Sequence, residues 1–188
     1  MNKNTKKLVL SAMFLALGLV LPLLTGQIRQ IGSMLLPMHI PVLLCGFICG
    51  WQYGLVVGLI LPLLRSFTFG MPPLYPVAVA MTFELATYGF LSGFLYARFR
   101  KHSVLTIYVC LIAAMIAGRL VWGAAEVILL GLGESGFSWK AFLAGAVTNA
   151  IPGIVIQLIL IPEILLALIV SKMTPLQDSK QKRIVSEA

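Results

Sequence analysis

Charge is what this sequence has least of. Acidic and basic side chains make up 11% of its 188 residues, against roughly 25% in soluble domains. So few charges cannot cover a globular protein of this size, which excludes a soluble fold. Long apolar runs follow one another instead, as the hydrocarbon slab of a bilayer requires. The chain is 60% hydrophobic, with a mean hydropathy of +1.00. Cysteine is scarce as well. Cys45, Cys49 and Cys110 all lie in apolar stretches, with no disulfide framework and no zinc-type spacing. Cys45 and Cys49, one helical turn apart, read as small residues that let helices approach. No metal or other cofactor is expected.

Catalytic and nucleotide-binding motifs are lacking too. There is no G-x-x-x-x-G-K-[ST] phosphate cradle, so ATP hydrolysis by that route is excluded. There is no H-E-x-x-H. The stretch "GESGF" at 133–137 is not a nucleophile elbow, and it falls in a loop between apolar runs. No polar stretch is long enough for a second domain. No internal repeat of the kind that builds larger carriers is visible. The expectation is an all-α protein, one transmembrane domain over 1–188, that is not an enzyme.

What is present is a succession of six apolar segments, at 8–25, 35–51, 53–70, 76–97, 104–132 and 141–171. The first follows the basic "MNKNTKK" and lacks a good cleavage site after it, so it reads as a retained helix. The second and third are joined by "GWQYG". The third and fourth meet at "FGMPPLYP", whose prolines cannot continue a helix. Pro152 and Pro162 predict kinks in the sixth.

Orientation follows from lysine and arginine. Lys3, Lys6 and Lys7 precede the first segment. Arg98, Arg100 and Lys101 follow the fourth. Lys172, Lys180, Lys182 and Arg183 follow the sixth. With six spans these three clusters share one side, which predicts both termini in the cytoplasm of a cell with a plasma membrane of bacterial type. The net charge of +8 is thus a topology signal. No nucleic acid partner is expected, since the basic residues sit in short flanks.

Arg65, Glu84, Arg119 and Glu126 are charges inside the spans, as is Glu163 in the sixth. A charge at membrane depth costs several kcal/mol and marks a functional site unless a partner neutralises it. At about 1.5 Å rise per residue, Arg65 lies about 18 Å and Arg119 about 23 Å from the inner side. Glu84 lies about 12 Å below the outer end of its helix, and Asn149 at a similar depth in the sixth segment. Four polar groups from four helices therefore fall in the outer half of the membrane. Arg119, Trp122 and Glu126 are spaced i, i+3 and i+7 on one helix face. His39 sits between Pro37 and Pro41. Arg65, Glu84, Arg119, Trp122, Glu126, Asn149 and His39 are the candidate site residues. The structural alternative is an arginine that pairs with Glu84 only to join helices, a helix-end histidine held by a hydrogen bond, and Tyr96 and Trp139 as interface anchors. If Glu84 neutralises one arginine, the other can hold an anion, because the guanidinium fork suits a carboxylate or phosphate. An anionic solute is then favoured, unless Glu126 cancels the remaining arginine.

The chain resembles the substrate-binding subunits (S components) of energy-coupling factor transporters. The similarity covers size, six spans and cytoplasmic termini. In "SAMFLALG", Ala12 and Ala16 match the family's A-x-x-x-A motif. The runs "MLLPMHIPVLLCGFICGWQYG", "PLLRSFTFGMPP" and "FELATYGFLSGFLY" resemble the large, mixed-substrate subgroup, some of whose members are linked to pantothenate and others to cobalamin. The resemblance implies capture of a vitamin in a pocket near the outer surface. It implies partners, a membrane coupling protein (T component) and two ABC ATPases, and a subunit that topples in the bilayer to deliver its cargo. It also implies that Ala12 and Ala16 meet the coupling protein. A stand-alone permease or channel and a membrane scaffold remain the alternatives.

Overall fold

The computed structural model describes residues 3–24, 35–99, 103–131 and 151–170. Six helices fill them: α1 (Lys3–Leu24), α2 (His39–Cys49), α3 (Trp51–Phe69), α4 (Val79–Arg98), α5 (Val104–Leu130) and α6 (Ile151–Val170). A π-helical turn, Leu74–Ala78, leads into α4. Five of the helices are long and apolar enough to cross a membrane. The exception is α2, with 11 residues, about 16 Å against a hydrocarbon core of roughly 30 Å. The expected second span at 35–51 is therefore shortened. The reason is local: Leu36 precedes Pro37, which disfavours the right-handed helical region, and adopts φ 49°.

The centre of the molecule is α2. Every one of its residues except Ile40 is buried, and α1, α3, α4 and α6 all pack against it. It runs parallel to α4: His39 faces Tyr88, the Leu43 carbonyl faces Ser92, and Phe47 meets Tyr96 edge-on at 5.3 Å. Tyr96 is thus a buried core residue rather than an interface anchor; Trp139 lies outside the described residues. Helix α3 runs antiparallel to α4, and small residues let the two backbones touch. A Cβ on Gly58 would overlap the backbone of Leu85, and one on Gly89 the backbone of Gly54. Such contacts supply packing where lipid provides little drive for association.

Between α2 and α3 the chain reverses on Gly50 alone, at φ 103°, a conformation glycine adopts without a steric penalty. Gly70 ends α3 in the left-handed region and donates its N–H to the Ser66 carbonyl. Ser103 caps α5 by accepting from the Thr106 N–H at 3.3 Å. Helix α5 runs antiparallel to α4, with Gly118 against the Tyr88 ring. The Tyr75 hydroxyl, in the π turn, donates to the Leu129 carbonyl near the far end of α5. That bond ties the start of α4 to the end of α5.

Candidate functional site

The site is organised around one carboxylate. Glu84 is on the second turn of α4, 1% exposed. Its Oε1 accepts from Arg119 Nη1 of α5 at 3.0 Å and from the Tyr88 hydroxyl at 3.1 Å. Nε2 of His39, the first residue of α2, stands 3.4 Å from the same oxygen, at ion-pair distance but without the alignment of a good hydrogen bond. The His39 and Tyr88 rings lie 5.2 Å apart, tilted by 58°. Three helices thus meet at one atom. Local sequence puts them there. Tyr88 follows Glu84 by four residues, one helical turn and the same face, and Gly118 makes room for its ring.

Glu84 therefore does neutralise an arginine, and the arginine is Arg119. A buried carboxylate that receives a guanidinium and a phenol is tolerated at membrane depth, whereas an unpaired one is not. Among the described residues, only Nη1 of Arg119 is used. Its Nε and Nη2 are buried with no hydrogen-bond partner among the described residues. Those two atoms form the side-on edge of the guanidinium, the edge that takes two oxygens of a carboxylate or phosphate.

Arg65 is placed elsewhere. It is 3% exposed on α3. Its Nη1 donates to the Leu19 carbonyl of α1 at 2.6 Å, and its guanidinium lies 5.2 Å from the centre of the Phe69 ring. Pro22 lies inside α1, and its missing N–H removes the helical donor of the neighbouring Gly18 carbonyl. Arg65 thus joins α3 to α1 and makes no ion pair among the described residues. Glu126 is buried, two turns beyond Arg119 on α5, and it too makes no ion pair among them. Trp122 is half-buried between the two. Asn149 lies outside the described residues. Ala12 and Ala16 are both on the exposed side of α1.

Two polar residues were not among the candidates. Tyr88 carried a signal, its i+4 spacing from Glu84. Gln157 of α6 is fully buried, with neither amide atom partnered among the described residues; its signal was a lone polar residue in "GIVIQLILIP". Among the described residues no three histidine, cysteine or acidic side chains come together as metal ligands.

An all-helical bundle of membrane-spanning length around a buried ionic cluster defines a polytopic membrane protein with a polar site inside it. The family described as "ECF transporter, substrate-specific component" matches residues 6–165, and the chain belongs to it. It is thus a membrane-embedded subunit of a transport system, in a family that captures substrate for uptake. No curated protein and no solved structure matches the chain.

Proposed function

We propose that this chain captures a small, anionic, water-soluble vitamin or precursor in an outward-facing pocket and delivers it to an energy-coupling module. Pantothenate is the first candidate ligand and a pyridoxine-type compound the second. The partners are a membrane coupling protein and two ABC ATPases. The protein forms one domain of six spans with both termini in the cytoplasm, the short α2 counting as the second. The observation that carries the reading is the open Nε–Nη2 edge of Arg119, aligned by Glu84 and left without a partner among the described residues. Glu84, His39 and Tyr88 position that guanidinium. Trp122, one turn along α5, supplies an indole and Glu126 a further polar group; Asn149, outside the described residues, is the remaining proposed contact.

Arg119→Lys separates recognition from support. Lysine keeps a cation for Glu84 and loses the planar fork. The purified wild type should bind one B-group vitamin stoichiometrically, read by tryptophan fluorescence or calorimetry. The variant should lose about 1.5–3 kcal/mol of that affinity, the scale of hydrogen bonds to a charged group, with its melting temperature nearly unchanged. Equal affinity in the two proteins would remove Arg119 from the site. Uptake that needs no ATPase would favour a permease instead.

A further inference from the structure

Six buried side-chain nitrogen and oxygen atoms have no hydrogen-bond partner among the described residues: two on His39, two on Arg119 and two on Gln157. They belong to α2, α5 and α6, and α6 packs against both of the others. Buried polar atoms are nearly always satisfied, and the bilayer core offers no bulk water as a substitute. Gln157 is the extreme case, at 0% exposure. On the buried side of α6 it follows Gly153 and precedes Ile161 and Leu165, which join the main core. For packing alone, leucine or methionine would fill this position without stranding an amide.

We propose that Gln157 is a specificity-determining contact of the ligand site, and that the ligand is a carboxylic acid which also carries an amide or lactam group. The inference rests on the reading of Arg119 as the anchor for an anion. A primary amide presents an acceptor and donors side by side, the complement of a –CO–NH– edge. The open edge of Arg119 takes the two oxygens of the carboxylate. A ligand without the amide leaves Gln157 unpaired inside the membrane and is rejected, as sites built to hydrogen-bond a substrate N–H reject analogues that lack it.

The test uses the full chain in nanodiscs with a fixed set of probes. Pantothenate, biotin and folate carry an acid with an amide, cyclic urea or lactam; nicotinate carries an acid alone; riboflavin, thiamine and pyridoxine carry no carboxylate. The wild type should bind a member of the first group. Gln157→Met, close in shape, should weaken that binding by roughly tenfold or more, while the ligand-free protein melts at the same or a higher temperature. Gln157→Leu should behave alike, so that one poorly folded variant does not decide the matter. Binding of nicotinate or of a vitamin without a carboxylate overturns the ligand class while capture itself stands. Unchanged affinity in both variants overturns the role of Gln157, as does a lower melting temperature in both without ligand. A wild type that binds none of the probes overturns the capture reading, and this inference with it.

Discussion

Glu84 and Arg65 are both buried charges, and they are held in different ways. Glu84 collects donors from two side chains and an imidazole at ion-pair distance. Arg65 donates one short hydrogen bond to a backbone carbonyl of α1 and has its guanidinium carbon over the Phe69 ring. Under the proposed function, Arg65 joins helices and Arg119 recognises the anion. Arg65→Met should therefore destabilise the folded protein by about 1.5–3 kcal/mol, the scale of a hydrogen bond to a charged group. Vitamin affinity of the protein that remains folded should change less than about threefold. A thermal melt and a titration on the same sample check both, and loss of affinity without loss of stability would return Arg65 to the ligand site. Part of this was legible beforehand. The depth estimate put Glu84 and Arg119 in one layer because helix rise is regular. It put Arg65 in that layer too, but depth does not reveal its partner, because the acceptor is a backbone carbonyl, a group every residue carries.

Among the elements, α1 and α2 differ most in surroundings. Helix α2 is enclosed, whereas α1 turns a broad face outward, with Val9, Met13, Leu17 and Val20 exposed around Ala12 and Ala16. Two alanines one turn apart on such a face leave a shallow groove where another helix can approach closely. Ala12→Trp and Ala16→Trp should leave folding and vitamin binding unchanged, because neither side chain packs inward. Uptake with the coupling module should fall about tenfold or more, since bulk closes the groove. Reconstituted transport, set beside a binding assay, measures the two separately; full transport by both variants would place the contact on another face. The long helices were legible because unbroken apolar runs of spanning length have no other use. The start of α2 was not. The run from Met34 to Gly50 is apolar apart from His39, and hydropathy does not register the turn at Leu36 and Pro37.

At the scale of the whole molecule, helix directions and charge agree. Helices α1 and α3 run parallel, with Gly18 against Leu61 and Leu19 against Arg65. Both oppose α2 and α4, and α5 opposes α4 in turn. That alternation, with basic flanks at Lys6, Lys7 and Arg98, fits the proposed orientation, in which the Phe99 end of α4 is cytoplasmic and the Leu130 end of α5 is outside. The native cysteines are buried, so the wild type should give a low background with an impermeant maleimide. In intact cells Leu130→Cys should label, and Phe99→Cys should label only after the membrane is opened. The reverse pattern would invert the topology.

The contacts of Gly54 with Gly89 and of Gly58 with Leu85 carry a mechanical consequence. Packed helices slide past one another by exchanging rotamers in the layer of side chains between them. Where backbone meets backbone there is no such layer, and the joint bears load without slipping. The helices α2, α3 and α4 therefore act as one stiff bar, with Glu84 and His39 fixed to it. Any give is left to α5 and α6, which carry Arg119 and Gln157. A torque applied to the bar turns Glu84 and His39 together and leaves the distance between them unchanged.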